Sequence, residues 1–421
     1  MSTFGLPEPQ LRELVQAVSG TAELDDAAVA DRFARAAWTV IAEPGDGAAG
    51  ALIAEVGATK ALALVLGRAA APASNATAAP NATSASNATP CPTPNPALAA
   101  GLDRWRPRLR SVDVERAFRL AARVGTRLLV PSTSETEPGD WPEGVDDLGA
   151  HAPVALWARG DPARLKAPRA GIALVGARAA TGYGEHVAGE ISAGLVELGH
   201  PIVSGAAYGI DGMAHRAALA ASGLTIAFLA GGVDRFYPAG HDELLRRIVD
   251  RGVVMSELPC GAAPTKWRFL ERNRLIAAAS SATVVVEAGA RSGSLNTAGH
   301  AAALGRALGA VPGPVTSPAS AGCHRLLREY AAVCVTDAAE VAELVDEPGA
   351  EPDSREPRDS TEVIRVLDAM STRSARTPSD IAVRSGLAIA TVLGTLGTLA
   401  VQTRVRERAD GWVTVPHARS H

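Results

Sequence analysis

The sequence predicts an α/β protein whose centre is a doubly wound parallel sheet, flanked by a small helical domain and a winged helix. Over residues 101–345, continuous apolar runs alternate with helical patterns of a dozen or so residues, as in parallel strands joined by crossover helices. Before that region, apolar residues recur at helical spacing. After it, three helical patterns precede a hairpin. The chain is therefore expected to contain one central α/β domain and two smaller domains.

The composition is that of a folded protein without an overall basic excess. Its 421 residues are too many for one ordinary core and suggest two or three domains. With 47% hydrophobic and 20% charged residues, the chain is not wholly disordered. The formal net charge is −4, so any site for nucleic acid must be a local basic patch.

The cysteines and the N-terminus indicate a cytoplasmic protein. Cys91, Cys260, Cys323 and Cys334 lie far apart, without CxxC or metal-ligand spacing, so we expect no disulfide framework and no metal. The N-terminus lacks the basic and apolar runs of a signal peptide. The uncharged stretch 69–102 is too polar to span a bilayer, so we expect no membrane association.

The first hundred residues divide into a helical domain and a linker. Residues 1–68 resemble a small SAM-like or helix-hairpin-helix-like module and carry few basic residues. Residues 69–100 contain AsnAlaThr at Asn75, Asn81 and Asn87, each formally a glycosylation sequon. A neutral segment rich in Pro, Ala, Ser and Thr cannot bury enough apolar surface to fold, so a flexible linker is the favoured interpretation.

The central region begins with an Arg-rich helix (112–124) and two strands (127–130 and 154–158), after which the repeat becomes regular. Six further strands are predicted at Ile172–Gly176, Pro201–Ser204, Thr225–Leu229, Val253–Ser256, Thr283–Glu287 and Leu308–Val311. Each run is apolar almost throughout, as expected of strands that are covered on both faces.

An acidic, Pro-rich linker at 346–360 precedes the C-terminal domain at 361–417. Thr377 and Pro378 provide an N-cap hydroxyl followed by Pro at the first helical position. Asp410-Gly411 lies between two strand-like runs and indicates a hairpin turn. Three helices followed by a hairpin is the order of a winged helix.

Ligands of a doubly wound sheet bind beyond the carboxyl ends of its strands, so the loops after the strands are the candidate sites. The small-residue loop 176–184 enters a helix, and its amides and the positive helix end suit a phosphate beside Arg178. The loop lacks the GxGxxG spacing of dinucleotide-binding proteins, and Ser204-Gly205 stands where such an enzyme needs an acidic residue to bind the ribose. The GxxxxGK[ST] motif of nucleoside-triphosphate-binding proteins is also absent from the sequence. The sequence therefore disfavours dinucleotide and nucleoside-triphosphate chemistry. The alternative to a phosphate site is a Gly-rich turn that only allows the helix to pack closely on the strand.

Two further loops carry polar residues. Asp211 and His215 are four apart and share a helical face, which would suit an acid–base or metal pair. No third ligand or nucleophile is near in sequence, so a helix cap and a structural histidine are favoured. Ser292, Gly293 and Ser294 offer hydroxyls and amides to a second phosphate, and Glu287 without a partner is a weak candidate for a catalytic base.

The segment 256–276 interleaves basic and aromatic side chains, namely Lys266, Trp267, Arg268, Phe269, Arg272 and Arg274. Single-stranded nucleic acid needs this mixture, with charge for the backbone and ring faces for unstacked bases. Arg272 and Arg274 cannot share a helix face, so we expect one to face outward to phosphate and the other to meet a strand-end carboxylate such as Glu287. A solvated basic loop is the alternative.

Ordered motifs cover residues 170–345: ValGlyAlaArg (175–178), ValSerGly…GlyIleAsp…AlaHis (203–215), TyrPro (237–238), SerGluLeuPro (256–259), ArgAsnArgLeuIle (272–276), ValGluAla…ArgSerGlySerLeuAsnThrAla (286–298) and ValProGly (311–313). Together they resemble the DNA-processing protein A family (DprA, also called Smf). The helical N-terminal region and the winged helix agree with the architecture of that family.

The resemblance implies an extended Rossmann fold, commonly homodimeric, and a role without catalysis or cofactor. Such proteins bind incoming single-stranded DNA in natural transformation, help displace single-strand-binding protein and load the RecA recombinase. Carried onto this chain, the resemblance implies a DNA site formed by Arg178, Thr181, Ser204, Gly205, Lys266, Phe269, Arg272, Asn273, Arg274, Ser292, Gly293 and Ser294.

Two other functions compete with this one. A nucleotide-processing enzyme of the lysine-decarboxylase-like group would use a similar Rossmann sheet, but its GlyGlyxGlyThr turn is absent, since GlyGly at 231–232 continues as ValAspArgPheTyrPro. A transcription regulator would read duplex DNA with the winged helix. The third helical segment of that domain, 387–399, is uncharged and suits protein contact or auxiliary binding better.

Overall fold

The computed structural model describes residues 4–20, 24–70, 96–131, 140–166, 171–345, 361–372, 374–401, 403–408 and 410–415. The chain divides into two compact units, Met1–Glu347 and Pro348–His421. The acidic linker predicted at 346–360 and most of the linker predicted at 69–100 lie outside the described residues. The domain boundaries themselves stay predictions.

The first unit alternates helices and strands along the chain. Its helices are α1 (Glu8–Ser19), α2 (Asp26–Ile41), α3 (Gly47–Val56), α4 (Ala58–Ala70), α5 (Pro96–Trp105), α6 (Ser111–Arg123), α7 (Gly182–Glu197), α8 (Ile210–Ala220), α9 (Asp242–Arg251), α10 (Lys266–Ala278), α11 (Ser294–Ala303), α12 (Ala321–Glu329) and α13 (Ala338–Ala342). Its strands are β1 (Arg127–Leu129), β2 (Leu156–Gly160), β3 (Ile172–Val175), β4 (Ile202–Ser204), β5 (Thr225–Phe228), β6 (Val253–Ser256), β7 (Ala282–Val285), β8 (Ala307–Ala310) and β9 (Val333–Cys334).

These nine strands form one sheet in the order β1-β2-β6-β5-β4-β3-β7-β8-β9. Neighbours from β6 to β9 in that order pair in parallel, whereas β2 pairs antiparallel with β6 and β1 antiparallel with β2. The α/β class with a mostly parallel sheet is therefore confirmed. All eight predicted strands are present, with ends shifted by at most two residues, and the short β9 was not predicted.

The strand order reverses at β3, with β4 to β6 on one side and β7 to β9 on the other. Reversal leaves a crevice at the C-terminal ends of β3 and β7, where open α/β sheets bind ligands. Side chains of β3 alternate between the two faces of the sheet and belong to two hydrophobic cores. Ala173 and Val175 pack in the core on one face, and Ile172 and Leu174 pack in the core on the other. Burial on both faces is the reason that these strands have uninterrupted apolar sequences.

The N-terminal helices share a core with the antiparallel edge of the sheet. Phe33 of α2 stacks on Phe118 of α6 with ring centroids 5.7 Å apart, and Phe118 meets Trp157 of β2 edge-on at 5.8 Å. All three rings are fully buried. The helical region thus packs on the sheet instead of standing apart from it.

Helix α5 begins at Pro96, so the last residues of the segment predicted as a linker at 69–100 are helical. Proline is favourable in the first turn of a helix, where its missing amide proton has no partner to lose. The helix is held by Trp105, whose ring meets that of Trp38 edge-on at a centroid distance of 5.1 Å. Packing of this indole outweighs the weak helical signal of the preceding Ala- and Pro-rich sequence.

The second unit contains α14 (Thr361–Asp368), α15 (Pro378–Ser385), α16 (Ile389–Val401), β10 (Val405–Arg408) and β11 (Gly411–Thr414). The Thr377 side chain accepts a hydrogen bond from the Asp380 amide, which confirms the predicted N-cap of α15. Strands β10 and β11 pair antiparallel with Arg408 opposite Gly411, so the predicted hairpin is also present. The winged-helix assignment stays a prediction.

Membrane-spanning potential is low among the described helices. None of them is both long enough and apolar enough to cross a bilayer alone. Two pairs of consecutive helices reach that length and hydropathy only when taken together, and each pair is bent by more than 40° at its break.

Candidate functional site

A cleft of about 460 Å³ opens at the C-terminal ends of β3 and β7, at the switch point of the sheet. Its walls come from the loop after β3, the loop after β4, helix α10 and the loop between β7 and α11. It is lined by seven of the predicted site residues: Arg178, Phe269, Arg272, Asn273, Ser292, Gly293 and Ser294. Segments more than a hundred residues apart in the chain therefore meet here.

The loop after β3 leaves Arg178 exposed at the cleft. The carbonyl of Ala177 accepts a hydrogen bond from the Ile210 amide at 3.2 Å, which fixes the loop against the start of α8. Gly209 permits this approach, because its φ is +74° and a Cβ there would overlap the Ala177 carbonyl oxygen. The Arg178 guanidinium carbon lies 4.8 Å from the centre of the Phe269 ring, and no described residue forms an ion pair with it.

Thr181 does not line the cleft. Its amide and its hydroxyl donate to the two carboxylate oxygens of Glu287, at 2.8 and 2.7 Å, and the hydroxyl accepts from the Gly184 amide as the N-cap of α7. Glu287 is almost fully buried, so these bonds replace its lost hydration. The expected pairing of Glu287 with Arg272 or Arg274 is therefore wrong.

The predicted phosphate-binding groups after β4 have partners inside the protein. The Ser204 hydroxyl donates to the Leu174 carbonyl at 2.7 Å, and the Gly205 amide donates to the Asp211 carboxylate at 3.2 Å. Both residues are buried. These groups hold the floor of the cleft together instead of facing it.

His215 is a structural histidine as predicted, whereas Asp211 is not the helix cap: the N-cap of α8 is Gly209, and the Asp211 carboxylate accepts from the Gly205 and Ala207 amides of the preceding loop. Burial raises the pKa of Asp211, an effect that Arg272 and the amide hydrogen bonds oppose. His215 is fully buried with Nδ1 2.7 Å from the Thr225 hydroxyl, and burial lowers its pKa to about 3. Among the described residues, no cluster of three His, Cys, Asp or Glu side chains could hold a metal ion.

Arg272 was expected on the surface or beside Glu287 and is instead buried under the cleft. Its Nη1 donates to the carbonyls of Gly205 and Phe228, at 2.6 and 2.5 Å, and its Nε donates to Asn273. Burial lowers its pKa to about 10, with Asp211 opposing the shift, so it remains cationic at neutral pH. Nη2 has no hydrogen-bond partner among the described residues, and the side chain lines the cleft.

Arg274 does not reach the cleft. Its Nη2 lies 2.8 and 2.7 Å from the two carboxylate oxygens of Glu257, and its Nε donates to the His151 carbonyl. The Arg274 side chain is 3% exposed and that of Glu257 is 11% exposed. Glu257 directly follows β6, so one of the two arginines does meet a strand-end carboxylate, although not Glu287. The expectation that the other faces outward is wrong, because the C-terminal half of α10 is buried on every side.

The first turn of α10 presents the basic and aromatic side chains that the sequence predicts. Lys266 is exposed and has no ion-pair partner among the described residues, while the neighbouring Trp267 is 58% exposed. Phe269 is half-buried beside Arg178, and its ring centroid lies 5.6 Å from that of Tyr237. Lys266 and Phe269 are three residues apart on the helix and therefore share a face.

The loop between β7 and α11 adds a cation that the sequence interpretation missed. Arg291 is exposed and lines the cleft beside Ser292 and Ser294, whose hydroxyl oxygens lie 2.7 Å apart. Asn273 donates to the Gly293 carbonyl of this loop at 3.4 Å and to Asn296 of α11 at 3.1 Å. Arg291 belongs to the quoted ArgSerGlySer motif, so attention to charge as well as hydroxyls would have found it.

The lining of the cleft carries more positive than negative side chains. Arg178, Arg272 and Arg291 line it, and Asp211 is the one carboxylate among the described lining residues. Helices α7 and α11 both begin at this edge of the sheet, and their first turns favour negative charge. Phe269 and Tyr237 place aromatic rings at its rim.

The fold and the cleft together define a doubly wound α/β protein with a cleft lined by arginines at the switch point of its sheet. The family model of DNA recombination-mediator protein A matches residues 133–346, just over half of the chain. The chain belongs to this family.

Relatives are similar over most of their length. The putative DNA processing protein DprA of Mycobacterium tuberculosis is 49% identical over 321 residues, which cover 71% of this chain and 80% of the relative. Protein Smf of Escherichia coli is 38% identical over 216 residues, 51% of this chain and 56% of that protein. The X-ray structure of DprA from Streptococcus pneumoniae has a TM-score of 0.51 at 34% identity, covering 61% of this chain and 84% of that one.

Proposed function

We propose that this chain is a non-catalytic mediator that binds single-stranded DNA at the switch-point cleft and transfers it to the RecA recombinase in natural transformation. The observation that carries the proposal is the composition of the cleft: three arginines against one carboxylate, with Phe269 and Tyr237 at the rim. Membership of a family of DNA recombination mediators supports the same conclusion.

The site suits a single strand better than a duplex. Arg178 and Arg291 are exposed cations in the loops after β3 and β7, and Lys266 lies on the helix face that carries Phe269. Cations neutralise the phosphates, whereas an aromatic face gains energy from a base only when that base is unstacked from its neighbours. In a duplex the bases are already stacked, so the rings would add little.

The polar groups around the cleft support a role without catalysis. Glu287 binds Thr181, and Asp211 accepts from backbone amides, so both carboxylates have structural partners. A general base needs a reacting proton within hydrogen-bond reach and an oriented partner. Release of free base from a nucleoside monophosphate by the purified protein would overturn this part of the proposal and favour the nucleotide-processing alternative.

DNA binding is tested by titrating a fluorescent single-stranded oligonucleotide at several salt concentrations. Arg178, Arg291 and Lys266 give about three phosphate contacts, so the log–log salt slope should be roughly −2, at about −0.7 per contact. Arg178→Ala or Arg291→Ala should each weaken binding about fivefold at about 0.1 M salt and make the slope about 0.7 less steep. Arg251→Ala is the control, because Arg251 is equally exposed but lies at the end of α9, on the opposite edge of the sheet. Salt-independent binding would contradict the proposal.

The proposed partners follow from the same role. We propose RecA as the recipient of the strand, displacement of single-strand-binding protein as the preceding step, a homodimer as the active form and the cytoplasm as the compartment. RecA filament assembly on oligonucleotide coated with single-strand-binding protein should accelerate when this protein is added, and Arg178→Ala should reduce the acceleration. No acceleration by a protein that binds the strand normally would remove the mediator role and leave DNA binding intact.

A further inference from the structure

An arginine-rich segment lies outside the cleft and is not used by the site described above. Residues 104–123 contain seven arginines and two carboxylates, in a chain with a net charge of −4. The segment runs from the end of α5 through α6 and packs beside the loop that follows β6. It is therefore a second local concentration of positive charge.

Part of this segment lines a cavity of about 310 Å³ between α6, the end of α2 and the loop after β6. Arg108, Arg116 and Arg268 reach it, together with Asp113. The loop contributes two small residues, Gly261 and Ala262, to the lining. Its volume is of the same order as that of the cleft.

Ion pairing leaves positive charge at this cavity. Glu43 accepts from both Arg108, at 2.5 Å, and Arg268, at 2.9 Å. Burial would raise the pKa of Glu43, but these two guanidinium groups lower it overall, so the carboxylate is ionised at neutral pH. One carboxylate thus serves two arginines, which leaves one positive charge in excess.

The exposed wall of the cavity adds a second excess charge. Asp113 lies 3.5 Å from Arg110, and the two charges cancel. Arg116 is exposed and has no ion-pair partner among the described residues. The cavity therefore carries a net positive charge and an available guanidinium, which suits a phosphate group.

The cavity and the cleft lie on two sides of the first turns of α10. Arg268 lines the cavity, and the next residue, Phe269, lines the cleft. Lys266 and Trp267, at the start of the same helix, are both exposed. A polynucleotide crossing this turn would meet a cation and an aromatic face on its path, as single strands require.

We propose that this cavity, with Arg116 as its principal exposed ligand, is a second phosphate subsite for the strand that occupies the cleft. The inference rests on the proposed function, because it extends the same single strand past Trp267 toward α6. A short oligonucleotide fills the cleft alone, and a longer one reaches both sites.

The test compares oligothymidylates of about 6 and about 20 nucleotides, near the lower limit of and above the ~4–16 nucleotides that single-strand-binding folds commonly cover. Arg116→Ala should weaken binding of the long oligonucleotide about fivefold at about 0.1 M salt and make its log–log slope about 0.7 less steep. Binding of the short one should be unchanged. Arg116→Lys should restore most of the affinity, because a phosphate contact needs the charge.

Arg119→Ala is the matched control. Arg119 is exposed on the same helix but pairs with Glu115 at 3.0 Å and faces away from the cavity, toward α1. Its removal should leave both oligonucleotides unaffected. Inorganic phosphate and thymidine monophosphate are added in turn as competitors of oligonucleotide binding. If the cavity were a site for free phosphate and not for the strand, Arg116→Ala would weaken binding of inorganic phosphate and leave binding of both oligonucleotides unchanged, which would overturn the subsite.

Each outcome separates the two proposals. If both oligonucleotides bind wild type and Arg116→Ala equally well, the second subsite is wrong and the cleft stands. If Arg116→Ala weakens both lengths equally, Arg116 acts on the protein as a whole and the subsite is again wrong. If neither oligonucleotide binds the wild type, the proposed function itself fails.

Discussion

Replacing Arg274 tests whether this arginine stabilises the fold or binds DNA. In the structure its Nη2 donates to both carboxylate oxygens of Glu257, at 2.8 and 2.7 Å, and both side chains are nearly enclosed. Arg274→Ala would leave the Glu257 carboxylate buried without a counter-charge. Breaking such a pair costs about 3–5 kcal/mol, so the variant should lose a large part of its free energy of unfolding.

Urea unfolding followed by circular dichroism measures this loss. Arg268→Ala is the matched control, because Arg268 lies on the same helix and also pairs with a glutamate, Glu43, whose side chain is 32% exposed. Water can solvate Glu43 after the change, so its loss should be clearly smaller. The double variant Arg274→Met with Glu257→Leu should recover most of the stability, since replacing both charges leaves no unpaired ion.

DNA titration at a temperature where the variant is folded completes the test. Arg274 does not line the cleft, so the affinity of folded Arg274→Ala for single-stranded DNA should match that of the wild type. The reasoning is refuted if the unfolding midpoint is unchanged while the affinity falls. That result would mean that Arg274 leaves Glu257 to meet the DNA.

Three further predictions follow from burial and ring contacts. Phe269→Ala should weaken oligonucleotide binding by about 1–3 kcal/mol, whereas Phe269→Tyr should retain it, and equal affinities for all three proteins would exclude base stacking. Burial lowers the pKa of His215 from 6.5 to about 3, so this residue takes up a proton on unfolding between these values. The free energy of unfolding should therefore fall as pH is lowered through that window, and His215→Gln should reduce the dependence; an unchanged dependence would contradict the assignment. Burial also raises the pKa of the Cys260 thiol to about 12, so iodoacetamide should alkylate exposed Cys334 before Cys260. Peptide mass spectrometry that showed faster labelling of Cys260 would contradict its burial.

Strands and the position of the cleft are predictable from sequence for a physical reason. A strand covered on both faces must be apolar at every position, so runs such as 225–229 stand out against their polar surroundings. Parallel strands all end at the same edge, so loops after different strands converge without knowledge of their order. That is why Arg178 and Ser292 could be placed in one site although 114 residues separate them.

The directions of Arg272 and Arg274 could not be read in the same way. Spacing along a helix shows that two side chains diverge, but not which of them points to solvent. The apolar run Leu275–Ala278 that follows was the available signal, since a helix that is apolar all round is enclosed on all sides. The carboxylate that pairs with Arg274 could not be predicted either, because the choice depends on strand order, which the sequence does not give. Glu257 follows β6 and Glu287 follows β7, and these two strands lie four positions apart in the sheet.

Arg272 joins the stability of the sheet edge to the charge of the cleft. Its Nη1 bonds the carbonyls that follow β4 and end β5, so the guanidinium holds two strand ends together. The same group places a permanent cation under the cleft, with its pKa lowered by burial only to about 10. A lysine would supply one point charge without the planar fork that reaches several acceptors at once. Binding and folding are therefore inseparable at Arg272, whereas Arg178 and Arg291 carry exposed charges that can be removed with little effect on the core.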